Sequence, residues 1–545
     1  MLVPDFPFPY DEYLAHPDGL GSVPAEQHGT EVAVVGAGMS GLVAAYELMK
    51  LGLKPVVYES AQLGGRLRGA RQPGTDHPVA DLGGMRFPRS ARAFFHYVDL
   101  LGLDTQPFPN PLTTASDSTV IEIAGRRHYA ESPADLPQMF HDVGAAWRDC
   151  LEERAHFGAM RRAIADRDYA TVKKLWNELV PLLDDVSFSH YLATSKAFSS
   201  LPFEYREAFG LVGFGTGGWD TNFPDSMLEI LRVVYVNAED DQQRILGGAQ
   251  LLPQRLWQHA PEGIAHWPAG TSLASLHGGA PRGAVKRIRR ADGPGNSMEI
   301  TDRWGRTSAY PAVIATCQSW LLSARIDTDE SLFSHPLWTA IERTHYMQSS
   351  KTFVVVDRPF WKDVDPETGQ HVMSTTLTDR LTRGTYLLDN GPDRPALICL
   401  SYTWNDDALK WLPLDVEERV RLMLHSLKQI YPNVDIASHI IGEPVTISWE
   451  DDPNFMGAFS DNLPGHYRYQ ERLYTHFMQD DFDPVHRGIY LAGDDVSWTG
   501  GWAEGAVTTG LNAVWGVLTQ LGGKTTAGNP GPGDRFEELR PIRLP

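Results

Sequence analysis

The chain has 545 residues, of which 42% are hydrophobic and 21% charged, and this composition is typical of a folded globular protein with several domains. Its 48 basic and 69 acidic residues give a formal net charge of −21, which argues against nucleic acid or an anionic membrane as a partner. The three cysteines lie far apart and show no metal-ligand spacing, so the sequence predicts neither a disulfide framework nor a bound metal. No signal peptide and no 18-residue apolar stretch is visible, and we expect a cytoplasmic protein.

The first regular pattern begins after a proline-rich arm that covers residues 1–30. Five mostly apolar residues, Glu31–Val35, predict a buried parallel strand. A glycine-rich turn then opens a helix; its residues are Gly36, Ala37, Gly38, Ser40 and Gly41. A second apolar run, Lys54–Tyr58, ends directly before Glu59. This order of strand, G-x-G-x-x-G turn, helix, strand and acid is typical of a dinucleotide-binding fold.

Each part of this pattern has a physical role in binding a dinucleotide. Gly36 permits the tight turn from strand to helix, Gly38 lets backbone N–H groups approach a pyrophosphate, and Gly41 lets helix and strand pack closely. The helix N-terminus offers free N–H groups and the positive end of the helix dipole to the phosphates. Glu59 stands where a carboxylate accepts hydrogen bonds from an adenosine ribose.

Two further glycine pairs follow in the next thirty residues, and each precedes an arginine. The residues concerned are Gly64, Gly65 and Arg66, and then Gly83, Gly84, Met85 and Arg86. Adjacent glycines before a lone arginine indicate a backbone that passes close to a ligand. We expect the next helix to begin with Ser90 as its N-cap and to end near Leu101.

The remainder of the chain alternates between helical and strand-rich regions. Residues 133–210 favour helices, and a further helix is predicted over 226–236. The acidic run Glu239, Asp240 and Asp241 after it is interpreted as a solvated loop. The patterns predict a hairpin from strands 284–290 and 297–301, single strands over 310–316, 351–356 and 396–402, and a helix over 416–430. Residues 488–518 return to the strand, glycine and helix pattern, and the Gly/Pro-rich tail after Gly522 is expected to be loose.

Taken together, these motifs resemble those of the flavin-containing amine oxidase superfamily, and most closely its branch of L-amino-acid oxidases and amino-acid 2-monooxygenases. The resemblance covers most of residues 30–520. Beside the motifs above, it is carried by Gly247 and Gly248, by Lys351, by Leu491, Ala492, Gly493 and Asp494, and by Gly501, Trp502, Ala503, Glu504, Gly505 and Ala506.

The resemblance implies an α/β fold in which a Rossmann-like FAD-binding domain, as in flavoproteins with two dinucleotide-binding domains, is joined to a mixed-sheet substrate domain and a helical subdomain. The implied divisions are an arm (1–30), the FAD-binding domain (31–110, 239–325 and 450–522), the substrate domain (111–132 and 326–449), the helical subdomain (133–238) and a tail (523–545).

The implied cofactor is FAD, bound non-covalently because no cysteine or histidine stands where spacing marks an attachment site. Its expected contacts are Gly36, Ala37, Gly38, Ser40, Gly41, Glu59, Gly64, Gly65, Arg66, Gly84, Met85, Arg86, Val285, Asp494, Gly501, Trp502, Ala503 and Ala506. The family often has glutamate where this chain has Asp494, a shorter acid that still reaches the flavin ribityl group or the pyrophosphate, directly or through water.

The resemblance also assigns a substrate site. Arg86 is expected to hold the substrate carboxylate through two parallel N–H donors, a geometry that lysine does not reproduce. Tyr386 is expected to donate its hydroxyl group to the same carboxylate, and Lys351 to hold a water near flavin N5. Trp449, Trp498 and Trp502 are expected to wall the pocket, to which Phe459 is a further candidate. For each of these aromatic residues, ordinary core packing is the alternative.

The implied reaction is oxidation of a bulky L-amino acid at Cα by hydride transfer to flavin N5, with O2 as the acceptor. Its products are a 2-oxo acid, ammonia and peroxide, or a decarboxylated amide if the imino acid reacts in the pocket. The alternatives are a polyamine or monoamine oxidase, which has no need of Arg86, and a non-enzymatic or NAD-dependent dinucleotide-binding protein. The side-chain class stays open, because Glu239 or Asp220 offers an acid to a basic substrate. The family also implies a homodimer.

Overall fold

The structure is a computed structural model that describes residues 1–212, 219–264, 266–292 and 297–544. At its centre lies a sheet of four parallel strands, called here the parallel sheet, in the order Ile489–Leu491, Val313–Ala315, Glu31–Val35 and Lys54–Tyr58. The two strands predicted beside the glycine motif are confirmed with their exact bounds. Two long buried helices, Met39–Lys50 and Ala503–Gln520, pack against each other beside this sheet. The α/β fold class is therefore confirmed.

A second sheet of four strands, called here the hairpin sheet, contains the predicted hairpin. Its strands are Thr307–Tyr310, Met298–Asp302, Val285–Arg290 and Asp327–Thr328. The predicted hairpin is confirmed, although residues 293–296 of its turn lie outside the described residues. The strand expected over 310–316 is confirmed for Val313–Ala315, which belongs to the parallel sheet, whereas Tyr310 ends a strand of this second sheet. Pro311 stands at the break, where its missing N–H group interrupts a strand ladder.

A mixed sheet of seven strands, called here the mixed sheet, forms the other large layer. Its order is Val445–Ser448, Ser349–Val356, Ala396–Trp404, Gly384–Leu388, Thr375–Thr378, Thr119–Ile123 and Arg126–Ala130. All neighbours are antiparallel except Thr375–Thr378 and Thr119–Ile123, which run parallel. The strands near residue 120 therefore join strands more than two hundred residues later in one sheet.

Smaller sheets connect these layers. Gln242–Ile245 lies between Phe87–Pro88 and Thr105–Pro107, and this three-stranded sheet brings the segment after Glu239 beside the segment after Arg86. The two-stranded sheets are Gly21–Ser22 with Lys524–Thr525, Tyr346–Met347 with Phe459–Ser460, and Gly69–Ala70 with Ala80–Asp81.

Helices fill the space around the sheets, and seven of those in the described part of the chain form the predicted helical region. These seven are Gln138–Ala155, Phe157–Ala165, Tyr169–Leu183, Phe188–Ala193, Lys196–Ser199, Phe203–Val212 and Met227–Tyr235. The others are Tyr10–Ala15, Arg92–Leu100, Leu251–Gln258, Leu273–Leu276, Leu321–Ala324, His335–Arg343, Asn405–Leu409, Val416–Ile430, Tyr467–Thr475 and Phe536–Leu539. The predicted helices over 226–236 and 416–430 are confirmed, and Ser226 caps the first of them.

The helix Arg92–Leu100 begins in a way that the sequence did not indicate. Ser90 is not its N-cap; Ala91 occupies that position and has no side chain to accept a hydrogen bond. The carboxylate of Glu504 accepts hydrogen bonds from the N–H groups of Ala93 and Phe94 instead, at 3.2 and 2.7 Å. A buried acid from a distant helix therefore takes the place of a local cap.

The C-terminal tail is packed against the body, so the expectation of a loose tail is wrong. Lys524–Thr525 pairs with Gly21–Ser22, and Phe536 packs against Phe6 and Phe477 at ring-centroid distances of 6.1 and 5.9 Å. Because these contacts join the tail to the N-terminal arm, the two segments stabilise each other. Within the described residues, no helix is both long enough and apolar enough to cross a bilayer.

Candidate functional site

A deep cavity lies where the carboxyl ends of the parallel strands face the mixed sheet. All four parallel strands contribute the residues that follow them: Gly36, Glu59, Thr316 and Gly493 line the cavity. In open α/β sheets, ligands bind in the crevice outside the carboxyl ends of the strands. The cavity is therefore in the position that this class of fold uses for a cofactor.

The three glycines of the motif have different surroundings. A Cβ on Gly41 would lie 2.0 Å from the carbonyl oxygen of Gly36, so this position must be glycine for helix and strand to approach. Gly36 has φ of +111°, a backbone conformation that other residues rarely adopt. A Cβ on Gly38 would meet no protein atom within 4 Å, although Gly38 lines the cavity. Packing therefore explains Gly41, whereas Gly38 points to a ligand.

The start of the helix Met39–Lys50 offers free polar groups to that ligand. Ser40 lines the cavity and is buried, and its Oγ has no hydrogen-bond partner. The helix N-terminus directs its unpaired N–H groups and positive dipole end to the same place, and both features favour an anion. An orphaned buried hydroxyl beside such a terminus fits a phosphate group.

Glu59 follows the second strand and contacts the glycine-rich turn of residues 36–41, called here the glycine loop. Its Oε2 accepts a hydrogen bond from the N–H of Ala37 at 2.7 Å, and its Oε1 accepts one from the N–H of Ala61 at 2.8 Å. Each carboxylate oxygen can accept a further hydrogen bond, and Glu59 lines the cavity. It is therefore both a brace for the loop and an available acceptor.

A second helix N-terminus reaches the cavity from the C-terminal part of the chain. Gly501, Trp502, Ala503 and Ala506 at the start of Ala503–Gln520 line it, as does Asp494. Asp494 forms a two-pronged ion pair with Arg66, whose Nη1 also donates to the carbonyl of Ala458 at 2.8 Å. Two helix N-termini and an ion pair thus line one site.

Arg86 stands in the cavity wall on the side of the mixed sheet. It is only 9% exposed, and its guanidinium carbon lies 5.4 to 5.5 Å from the ring centroids of Phe108, Tyr386 and Tyr402. Its Nη1 donates to Asn110 Oδ1 at 3.1 Å. A planar cation held among aromatic rings has a fixed direction, which suits a carboxylate that must be bound in one orientation.

Lys351 is the second buried cation of this wall. It lies within Ser349–Val356, is 3% exposed, and its ammonium group donates to the carbonyl of Gly83. Its Nζ lies 4.7 Å from the ring centroid of Tyr402. Burial, and then repulsion from Arg86, lower the pKa of Lys351 to about 7, although Cys399 and Asp81 oppose the shift. Lys351 therefore points inward and does not reach solvent as a strand-edge lysine would.

Glu239 also lines the cavity, so the interpretation of the acidic run as a solvated loop is wrong for this residue, while Asp240 and Asp241 are exposed. Its Oε2 is buried and has no hydrogen-bond partner. Burial and the charge of Asp240 raise the pKa of Glu239 to about 8, although Arg86 opposes the shift.

The other acid considered for a basic substrate, Asp220, forms an ion pair with Arg383. Arg383 also pairs with Asp407, which lies 2.8 Å from its Nε. Asp220 is therefore already engaged by a cation of the protein and is not available as the acid for a basic side chain.

Aromatic side chains form much of the remaining lining. The predicted residues Trp449, Trp498, Trp502 and Phe459 are present, together with Trp219, Tyr402 and Trp404. Trp449 is held by its indole N–H, which donates to the carbonyl of Leu82 at 3.2 Å. Trp498 stacks on Tyr467 with a centroid distance of 5.1 Å. The pocket can therefore surround a large apolar group.

A group of carboxylates lies near Trp498 in the cavity lining. Glu229 and Asp461 line the cavity. The N–H of Ser226 donates to the carbonyl of Asn462, and this hydrogen bond brings the preceding residues, Asp225 and Asp461, close together. The nearby cation, Arg232, already pairs with Asp5 and Glu229. Burial, followed by repulsion from Asp225 and Glu229, raises the pKa of Asp461 well above its usual range.

Four predicted site residues are not among the described residues that line the cavity. Ala37 and Gly41 belong to the glycine loop but contact other protein atoms there, as described above. Tyr386 is fully buried and contacts Arg86 from within the wall, so it supports the arginine and does not face the cavity. Val285 packs in the core between the parallel sheet and the hairpin sheet. A motif match alone does not show which side of the backbone faces a ligand.

The sequence reasoning missed several lining residues that come from other elements. Tyr402 and Trp404 face the cavity because they alternate on Ala396–Trp404, opposite Lys351 and Ser349 of the neighbouring strand. Their alternation was a visible signal, but the register that brings them to the site was not. Glu229 and Arg232 lie one helical turn apart on Met227–Tyr235, a pattern equally typical of a surface ion pair.

Comparisons with known sequences agree with this geometry. A sequence model of the family described as flavin containing amine oxidoreductase matches residues 39–518. The chain is 32% identical to a tryptophan 2-monooxygenase of Pseudomonas savastanoi, over 94% of this chain and 93% of that protein. It is 25% identical to a protein of Bacillus subtilis named as an L-amino-acid oxidase, over 90% of this chain and 95% of that protein.

Solved structures agree with the fold. A variant of putrescine oxidase superposes with a TM-score of 0.67 at 20% identity, covering 90% of this chain and all of the other. Cyclohexylamine oxidase from Brevibacterium oxydans superposes with a TM-score of 0.64 at 17% identity, covering 91% of this chain and all of the other. The resemblance drawn from the sequence motifs is confirmed.

Proposed function

Because the chain belongs to the flavin-containing amine oxidoreductase family, we propose that it is an FAD-dependent oxidoreductase that oxidises a bulky L-amino acid at Cα. The observation that carries the proposal is Arg86, a buried cation in the wall of a cavity that also receives two helix N-termini. The tryptophan 2-monooxygenases and the L-amino-acid oxidase among its relatives support an amino acid as the substrate class.

The cofactor is proposed to be FAD, held without a covalent bond. The glycine loop, Ser40 and the N-terminus of Met39–Lys50 would hold the phosphates, and Glu59 would accept from the ribose. Arg66, Asp494 and the N-terminus of Ala503–Gln520 would hold the flavin end. When bound, the flavin supplies the two-electron acceptor, and O2 is the final acceptor.

Arg86 is proposed to bind the substrate carboxylate and so to set the direction of the Cα–H bond. Tyr386, Tyr402 and Phe108 hold the guanidinium group in place, and Lys351 is proposed to hold a water beside the reacting centre. A polyamine or monoamine oxidase is disfavoured, because an amine without a carboxylate offers no acceptor for a two-pronged contact with Arg86.

The side chain of the substrate is proposed to be aromatic or otherwise bulky, since tryptophans and Phe459 surround the cavity. A basic side chain is the second candidate, and the observation that favours it is Asp461, a carboxylate of the lining whose buried Oδ1 has no hydrogen-bond partner. The products are proposed to be the 2-oxo acid, ammonia and peroxide, the decarboxylated amide, or both. We further propose a cytoplasmic homodimer; the three free cysteines fit a reducing compartment.

Two measurements test this proposal. The purified protein should show flavin absorption bands, and acid precipitation should release the colour into the supernatant; a yellow pellet would contradict non-covalent binding. Mass spectrometry of products from a pool of L-amino acids should then identify a 2-oxo acid or an amide. If amines are consumed and amino acids are not, the enzyme is an amine oxidase of another kind.

A further inference from the structure

Glu239 is connected to Arg86 by a short chain of buried hydrogen bonds. Arg86 donates to Asn110, Asn110 Nδ2 donates to Gln242 Oε1 at 2.8 Å, and Gln242 Nε2 donates to the carbonyl of Ala238 at 2.8 Å. Asn110 and Gln242 are both buried. Since Glu239 directly follows Ala238, this chain fixes the position of its backbone relative to the guanidinium group of Arg86.

The carboxyl group of Glu239 faces the cavity that Arg86 also lines, and its buried Oε2 has no hydrogen-bond partner. Two charged groups act on it, Arg86 in the cavity wall and Asp240 on its own segment. Lys351 and Glu229 also line the cavity. A buried acceptor without a donor is costly unless a ligand supplies one. Nothing in the proposed function so far uses this acceptor.

The proposed substrate carries a donor in the required place, because the α-ammonium group of an amino acid is attached to the same carbon as its carboxylate. We propose that Glu239 binds the α-ammonium group of the substrate and accepts one of its protons. This inference rests on the proposed function, since it assumes that Arg86 binds the substrate carboxylate.

The step is a proton transfer and needs no other reactant. One N–H bond of the ammonium group breaks, an O–H bond forms on the carboxylate of Glu239, and the electron pair stays on nitrogen. The neutral amine that results is the form from which a hydride can leave Cα. Without substrate, burial raises the pKa of Glu239 to about 8, which makes it a stronger base than an ordinary carboxylate. The positive charge of a bound ammonium group favours the ionised form of Glu239, which is the form that accepts the proton.

The alternative role for Glu239 is to bind a basic side chain, and the experiment separates the two. Glu239→Gln removes the proton acceptor with little change of shape, and Glu239→Asp keeps it. Asp241→Asn is the matched control, because it removes an exposed charge of the same segment that is not among the groups shifting the pKa of Glu239. In each holoenzyme, the limiting rate of anaerobic flavin reduction is measured by stopped flow between pH 6 and 10, with one aromatic, one aliphatic and one basic L-amino acid.

We expect Glu239→Gln to lower the limiting rate at least about thirtyfold at pH 7 for every substrate. The deficit should shrink by about tenfold for each unit by which the pH rises, until the pH reaches the pKa of the substrate amine, because the substrate then loses its proton to solvent before it reacts. Glu239→Asp should keep the pH profile of the wild type at a reduced rate, and Asp241→Asn should behave as the wild type. A deficit that is equal at all pH values, or confined to the basic substrate, would overturn the inference.

A binding measurement gives a second readout that does not depend on turnover. The visible flavin spectrum is titrated with the 2-hydroxy acid of the best substrate, which has the carboxylate but no ammonium group. Its dissociation constant should be the same for wild type and Glu239→Gln, and a loss of affinity would show general damage to the site and overturn the inference. If none of the L-amino acids reduces the flavin of the wild type, the proposed function has failed, and this inference fails with it.

Discussion

The two walls of the cavity bind through different parts of the chain. On the side of the parallel sheet, the lining is largely backbone: glycine loops and two helix N-termini, with Ser40 and Glu59 as short side-chain additions. On the side of the mixed sheet, the lining is made of buried charged and aromatic side chains, among them Arg86, Lys351 and Tyr402. Backbone recognition suits a cofactor whose phosphates are constant, whereas side-chain recognition suits a substrate that defines the enzyme.

The two walls are sensitive to different kinds of substitution. The backbone wall depends on the absence of side chains at a few positions, so adding a single methyl group there is the damaging change. The side-chain wall depends on the balance of buried charges, so changes that alter charge geometry or proton affinity are the damaging ones.

The largest effect is expected within the glycine motif itself. Gly41→Ala places a Cβ 2.0 Å from the carbonyl oxygen of Gly36, and the backbone must move to relieve that contact. We expect a loss of at least about 3 kcal/mol in the free energy of unfolding, or failure to accumulate folded protein. Urea denaturation and the yield of soluble protein measure this effect.

Gly38→Ala is the matched control for that change, because a Cβ there meets no protein atom within 4 Å. The apoprotein should keep its stability within about 1 kcal/mol and yet bind FAD at least about tenfold more weakly. If both alanine variants unfold alike, or if Gly38→Ala binds FAD normally, the assignment of Gly38 to the ligand side of the loop is wrong.

In the opposite wall, Arg86→Lys is expected to have the largest catalytic effect. We expect kcat/KM for the best L-amino acid to fall at least about a hundredfold, or about 2.7 kcal/mol of transition-state stabilisation. A point charge replaces a two-pronged contact and no longer fixes the Cα–H direction. Anaerobic stopped-flow reduction of the flavin measures the loss without the oxygen step.

The control for Arg86→Lys is the decarboxylated amine of the same side chain. The wild type should reject it, because that ligand has no carboxylate to accept the two N–H donors of Arg86. FAD affinity of the variant should stay nearly unchanged, since the glycine loop and Glu59 lie in the opposite wall. An amine that reduces the flavin as fast as the amino acid does would make the central assignment wrong.

A smaller effect is expected for Glu59→Ala. The variant loses an acceptor for the ribose and also the brace to the N–H of Ala37. A hydrogen bond to a charged group contributes about 1.5–3 kcal/mol, so FAD affinity should fall about tenfold to a hundredfold while the fold is retained. Reconstitution of the apoprotein with FAD, followed by fluorescence, gives the affinity, and an unchanged value would remove Glu59 from the cofactor site.

The backbone wall could be predicted from the sequence in most of its parts, because its signals are local. The strands Glu31–Val35 and Lys54–Tyr58 were predicted with their exact bounds, and the glycine spacing placed Gly36 and Gly38 at the cavity. Where this wall departed from prediction, the cause was tertiary. Ser90 lost its expected capping role to Glu504, which comes from more than four hundred residues away.

The side-chain wall could be predicted only where a family motif marked the residue. Arg86 and Lys351 were found in this way, whereas Tyr402 reaches the cavity through its register opposite Lys351, which a single sequence does not contain. Glu239 looked like part of a solvated acidic run, because the sequence does not show that the chain turns it inward. Long-range pairing and local burial decided these positions, and neither leaves a short-range signal.

The smallest predicted effect concerns the proton affinity of Lys351. Its pKa is lowered to about 7, mainly because burial disfavours the ammonium form, whereas a lysine in an unfolded chain has a pKa of about 10.4. Between these values the unfolded chain binds a proton that the folded protein does not, so this residue makes stability rise with pH. Lys351→Met removes that contribution. The free energy of unfolding of the variant minus that of the wild type should therefore be larger at pH 7 than at pH 9 by about 1–2 kcal/mol.

Urea denaturation of the two holoenzymes at pH 7 and pH 9 tests this prediction about the side-chain wall. The matched control is Lys410→Met, which removes a lysine whose side chain is half exposed and paired with Asp407 at the surface. Its stability relative to wild type should not change between these pH values, because a solvated ammonium group has little cost to relieve. A Lys351→Met variant whose relative stability is the same at both pH values would show that the ammonium group is well solvated in the folded protein. Repulsion from Arg86 would then be screened as well, and the contrast between a backbone wall and a charge-balanced wall would lose its electrostatic half.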